Sequence, residues 1–188
     1  MRTLIRLALL GFACCGLAGA ADAGAVRYVI DPKQAEVLFS YSMPVTSGVG
    51  RFSSMSGTAN IDDAALERTT VQAVIDTRTL RAGTSMAQGE LRGTDFFDVA
   101  RYPQMLFKSR SVRPKTATTG EMSGDITLKG ITRPIILHVT LRPPGPGGAR
   151  QFTGKTRINR NDFNMTAYAF LVGDTVDIEI RANLRPAP

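Results

Sequence analysis

The chain has 188 residues and a net charge of +7, with one histidine, two cysteines and no tryptophan. That length suits a single domain with a sizeable core, and a lone histidine leaves little for a histidine-based triad or a Cys/His metal centre. The Lys and Arg residues are scattered and not interleaved with stacking aromatics, so they leave no nucleic-acid footprint. They read as a solvated basic surface, with at most a weak, salt-screened attraction to anionic membranes.

The N-terminus reads as an export signal. Arg2 and Arg6 precede an apolar run over residues 7–17, and small residues follow. Cleavage is expected after Ala23, with Ala20 the second choice. The run is too short for a comfortable span of about 20 residues, which disfavours a retained anchor. Cys14 and Cys15 both lie in the signal, and the residues before them fit a lipoprotein site poorly. The mature chain, residues 24–188, therefore has no cysteine and must hold its fold by its core alone. A cysteine-free exported domain suits a bacterial periplasm.

Beyond the signal no helical period persists, whereas alternation does. Val37, Phe39 and Tyr41 share one face of a first strand. A turn over residues 45–49 leads to a second long strand over residues 50–61, with Gly57 as a bulge or bend. A polar loop from Asp62 precedes a strand with Val71, Ala73 and Ile75 on one face. Residues 84–90 can form a turn or two of helix, and residues 105–112 a strand. Residues 124–128 and 131–141 form a hairpin around Lys129-Gly130, with Ile135, Leu137, Val139 and Leu141 on one face and His138 on the other. The Pro/Gly-rich stretch over residues 143–148 must be loop. Residues 152–159 form the next strand. In the last, Val176, Ile178, Ile180, Ala182 and Leu184 alternate without a break. About eight short-turned strands with one helical crossover make an all-β protein, an antiparallel barrel or a sandwich, and eight strands close into a lumen that is filled or holds one slender ligand.

The densest aromatic stretch, LRGTDFFDVARYPQMLFKS over residues 91–109, reads as the crossover that plugs or lines that lumen. Chemistry is scarce elsewhere. His138 has no evident partner. Asp95 and Asp98 flank the Phe pair and suit a cap or turn better than acid–base work. The methionines are dispersed along the chain and suit pocket filling better than copper binding. No enzyme, cofactor or metal is expected. The apolar lining is read as Phe39, Tyr41, Met43, Phe52, Ala73, Ile75, Leu91, Phe96, Phe97, Phe107, Leu137, Val139, Phe163, Tyr168, Ile178 and Ile180. Ala73, small and between Val71 and Ile75, is the natural point at which to narrow it. Whether these side chains fill the barrel or line a tunnel is left open by the residues themselves.

Three blocks in order, LRGTDFFDVARYPQMLFKS, GDITLKGITRPIILHV and INRNDFNM, resemble the YceI-like polyisoprenoid-binding family, and the resemblance covers essentially the whole mature chain. It implies a lipocalin-like eight-stranded antiparallel β-barrel around an apolar tunnel for an isoprenoid or other long-chain amphiphilic lipid, with no catalytic residues. Phe39, Phe96, Phe97 and Phe107 fall on the family's aromatic positions. Two departures bear on the head group: no His follows the first long strand near Tyr41–Pro44, and Glu90 stands where members often carry His. Asn164 also replaces a common Gly. The competing expectations are a filled-barrel envelope stress protein and, further off, a lipid-acting enzyme using Asp95, Asp98 or Glu90. A second copy of the chain is an allowed partner.

Overall fold

The structure, a computed structural model, describes residues 24–188. The signal segment, its cysteines and both cleavage sites lie outside the described residues. The elements are β1 (Ala25–Ser42), β2 (Ser47–Phe52), β3 (Met55–Asp62), β4 (Thr70–Asp76), β5 (Arg81–Ala82), α1 (Ser85–Arg92), β6 (Gln104–Pro114), β7 (Thr119–Leu128), β8 (Ile131–Leu141), β9 (Arg150–Asn159) and β10 (Thr175–Pro186). All pairings are antiparallel. β1, β3, β4, β6, β7, β8, β9 and β10 form a ring that closes where β10 returns to β1. The expected eight-stranded barrel is therefore the fold. None of the described helices is long and apolar enough to cross a membrane.

β1 organises the closure. Its first part pairs with β3 and its second with β2, while β10 runs along its other edge throughout. The switch falls where the register with β10 shifts between Ile30 and Ala35. There Pro32 offers no donor to the ladder, and the Asp31 carboxylate accepts from the Lys33 N–H at 3.1 Å, making a local turn. The wall expected as one strand over residues 50–61 is broken at Ser53-Ser54 rather than bent at Gly57. Gly57 serves close approach instead: its φ is +149°, and a Cβ there would meet the Gln72 carbonyl oxygen at 2.1 Å.

Turn chemistry sets the rest. Leu128 pairs with Ile131, leaving the two-residue turn Lys129-Gly130, whose φ values of +52° and +74° match the twist of a tight hairpin. Lys129 Nζ then donates to the carbonyls of Thr94 at 2.7 Å and Asn164 at 3.0 Å, tying this hairpin to two loops at the same end. α1 is capped by Thr84, whose hydroxyl accepts from the Ala87 N–H at 3.1 Å. Asp98 is a turn residue (φ +45°) whose carbonyl accepts from the N–H groups of Arg101 and Tyr102. Asn164 ends the 3-10 turn Arg160–Phe163 in the left-handed region, at φ +54°, a conformation Asn tolerates, so its departure from Gly leaves the backbone intact.

Candidate functional site

The barrel is nearly filled at one end, where a pocket of only about 60 Å³ remains, and hollow at the other. Towards the filled end Tyr28, Ile30, Ala59, Ile61, Met122, Ala182 and Leu184 are buried against one another. Towards the other end lies a cavity of about 450 Å³. The boundary runs across the strands at a common height. On β10, Val176, Ile178 and Ile180 line the cavity and Ala182 does not; on β8, Ile135 and Leu137 do and Val139 does not; on β4, Ile75 does and Ala73 does not.

Part of the lining is an aromatic cluster. Phe39 and Phe52 lie 5.5 Å apart between ring centroids, Phe39 and Phe97 5.5 Å, and Phe52 and Phe97 5.1 Å edge to face. Phe97 comes from the crossover after α1, and with Phe96 it brings that segment to the cavity lining. The rings are seated on glycines across the strand pairs. A Cβ at Gly50 would meet the Phe39 ring at 2.2 Å, one at Gly48 the Tyr41 ring at 2.0 Å, and one at Gly124 the Phe107 ring at 2.6 Å. Gly50→Ala is accordingly expected to push the Phe39 ring into the cavity and to cost about 1–3 kcal/mol by overpacking. An unchanged urea midpoint would contradict that seating.

The mouth is formed by the β1–β2 turn, α1 and the loop over residues 165–173, which contribute Met43, Thr84, Met86, Ala87, Glu90, Tyr168, Leu171 and Val172. Tyr168 stacks on Phe96 at 6.0 Å and its hydroxyl donates to Glu90 Oε2 at 3.1 Å. That bond raises the Tyr168 phenol above its ordinary value, and burial does the same to Tyr41. Arg160, 2% exposed, reaches the cavity wall and holds the loop from within. Its guanidinium donates to the carbonyls of Met165, of Ala167 at 2.8 Å, of Val172 at 2.9 Å and of Gly173 at 3.2 Å. An ion pair to Asp174 at 3.4 Å completes the set.

Of the residues expected to line the lumen, Phe39, Tyr41, Met43, Phe52, Ile75, Leu91, Phe96, Phe97, Phe107, Leu137, Tyr168, Ile178 and Ile180 are brought to this cavity. Ala73, Val139 and Phe163 are not. Ala73 and Val139 face inward but sit one pleat beyond the hollow, towards the filled end. Phe163 lies in a 3-10 turn, where strand alternation does not apply, and packs beneath an outer groove. That groove opens because β8 and β9 pair only from His138↔Lys155 to Leu141↔Phe152; beyond, the Thr156 hydroxyl donates to the Ile136 carbonyl at 2.8 Å. Val37, Met105, Ile126 and Val176 also line the cavity, and the same alternation that marked their neighbours could have found them. Arg160 stands in the block INRNDFNM that carries the family resemblance, but strand alternation does not mark it as a charged residue buried by its loop. Four methionines, Met43, Met86, Met105 and Met165, come together in the lining from distant positions, a soft surface able to adapt to an apolar guest. His138 is on the outer face, 67% exposed and 3.7 Å from the Glu121 carboxylate. Among the described residues no three His, Cys, Asp or Glu side chains converge as a metal site.

These features define a class: an antiparallel barrel enclosing an apolar cavity that opens at one end. The chain belongs to the YceI-like domain family, whose model matches residues 28–184. It is 32% identical over 171 residues to a UPF0312 protein of Pseudomonas savastanoi pv. phaseolicola, covering 87% of this chain and 88% of that one. A UPF0312 protein of Vibrio cholerae is 31% identical over 165 residues, 84% and 86% of the two chains. Among solved structures, Burkholderia cenocepacia BcnA superposes with a TM-score of 0.75 at 25% identity, over 82% of this chain and 98% of that one. A polyisoprenoid binding domain from Saccharophagus degradans superposes with a TM-score of 0.66 at 17% identity, over 86% and 99%, a likeness of fold.

Proposed function

We propose that the protein is an exported, periplasmic binding protein that holds an isoprenoid or similar long-chain lipid in its cavity, for carriage, storage or sequestration. The observation that carries this reading is the cavity: about 450 Å³ of space lined almost wholly by aliphatic, aromatic and methionine side chains. Its size falls in the range of about 300–1,000 Å³ usual for small-molecule sites. An empty apolar hollow forfeits packing, and a guest would regain roughly 25 cal/mol per Å² of apolar surface buried, before the costs of association. Membership of the YceI-like family and the fold shared with a polyisoprenoid binding domain support the same reading. At the mouth, Thr84, Glu90 and Tyr168 are the polar side chains that line the opening, where a head group would lie.

Mass spectrometry of an organic extract of the purified, natively folded protein is expected to find a long-chain isoprenoid in near-stoichiometric amount. An extract without lipid, together with no uptake of a fluorescent isoprenoid, would favour a ligand-free envelope protein instead. Export rests on Arg2, Arg6 and the apolar run that follows them. The mature protein is expected to begin at Gly24, and N-terminal sequencing that begins at Met1 would sink the periplasmic assignment.

A further inference from the structure

We propose that the protein docks on a phospholipid bilayer with the mouth of its cavity, seated by the apolar tips of the segments that form the mouth. The proposal rests on the lipid-binding reading above. The β1–β2 turn presents Val45, 96% exposed; α1 presents Met86, 80% exposed; the 165–173 loop presents Phe170, 84% exposed, and Leu171, 46% exposed. These segments form one surface. The Gly173 N–H donates to the Ser42 carbonyl at 3.0 Å, fixing the loop to the end of β1. The Tyr168–Glu90 hydrogen bond fixes it to α1. Single exposed apolar side chains are ordinary on a protein surface. Four around one opening make a patch of the kind that marks an interaction site.

The construction of the tips suits a lipid interface. Groups that enter one must bring their backbone hydrogen bonds with them. The N–H groups of Leu171 and Val172 both donate to the Tyr168 carbonyl at 2.8 Å, and the Met43 N–H donates to the Thr46 carbonyl at 2.9 Å. Arg160 takes up the carbonyls of Ala167, Val172 and Gly173. Tyr168, with its ring on Phe96 and its hydroxyl on Glu90, has the amphipathic character favoured at the head-group level. The tips also surround the opening of the apolar cavity, so the contact that hides them lets a lipid chain pass from bilayer to lumen without crossing water. A second copy of the chain would gain the first advantage but not the last. The four tips are all uncharged, so the docking is apolar and insensitive to salt. It therefore differs from the weak cationic attraction that the net charge of +7 suggests by itself.

The test is co-sedimentation with neutral phosphatidylcholine vesicles at about 0.1 M and 1 M salt, where the screening length falls from about 10 to about 3 Å. The parent is compared with the double variant Val45→Asp/Phe170→Asp, both carrying the same purified N-terminus. Neither side chain lines the cavity. The parent is expected to bind equally at both salt concentrations, and the double variant at least tenfold more weakly, about 1.4 kcal/mol. Uptake of a fluorescent isoprenoid alcohol delivered from detergent micelles is expected to be equal in both. A parent that stays in the supernatant, or a double variant that sediments with it, overturns the docking. If micelle uptake persists in that case, the lipid-binding reading stands alone; if the parent takes up nothing from micelles either, both fail. Binding lost at high salt assigns the contact to Lys and Arg and overturns the apolar seat. A dimeric parent that neutral vesicles do not bind, with a monomeric double variant, assigns the patch to a second copy and overturns it equally.

Discussion

Arg160→Met is expected to lower stability by about 2–4 kcal/mol, because one substitution removes the donor shared by several loop carbonyls. Methionine can occupy much of the volume but donates nothing, so the carbonyls of Met165, Ala167, Val172 and Gly173 lose their partner together. Buried acceptors left unpaired cost about 1–3 kcal/mol each where the backbone cannot relax towards water. For a domain of this size the loss corresponds to a fall in Tm on the order of 10 °C. Arg160→Lys should lie between, because one ammonium group has three donors and no planar fork to span four carbonyls and Asp174. Since the loop forms one side of the mouth, lipid uptake should fall with stability in Arg160→Met. A change below about 1 kcal/mol on urea unfolding would mean that the loop is held by other contacts and that the guanidinium is incidental.

Ile178→Trp is expected to reduce isoprenoid uptake at least tenfold, about 1.4 kcal/mol, while the barrel still folds. Ile178 stands beside Phe39 in the β1–β10 pair and faces the hollow. The added ring can enter space that no side chain occupies, so the stability cost should lie at or below the low end of the roughly 1–3 kcal/mol usual for overpacking. Retention of a fluorescent isoprenoid is the assay, circular dichroism controls for folding, and His138→Ala on the outer face should match the parent. Ala73→Phe, the substitution the sequence alone recommends, is the instructive contrast. Ala73 lies beyond the hollow, between Gly57 and Phe107 on the paired strands, so a large ring there strains packed neighbours instead of filling the cavity. A folded Ile178→Trp variant with undiminished uptake would place the lipid outside this cavity.

Much of the barrel is legible in the residues because strand alternation has a fixed period of two, and burial on one face enforces it. β7 keeps a strict alternation from Gly120 to Leu128, and β8 and β10 direct inward the faces read from their apolar residues. The tight Lys129-Gly130 turn and the Thr84 cap are equally local, since their backbone conformations depend on residues at hand. The aromatic crossover could be placed at the lumen because so many large rings need an apolar destination. Alternation, however, reports only the face of a strand and never the height along the barrel axis. It could not tell Ile75 from Ala73 or Leu137 from Val139, although one of each pair lines the cavity and the other belongs to the filled end. That division depends on registers between strands distant in sequence and on the shift between Ile30 and Ala35 that lets β1 change partners. Arg160 shows the same limit most sharply. Its burial follows from a loop that folds back over 14 residues to surround it with carbonyls, a condition that exists only once the tertiary structure has formed.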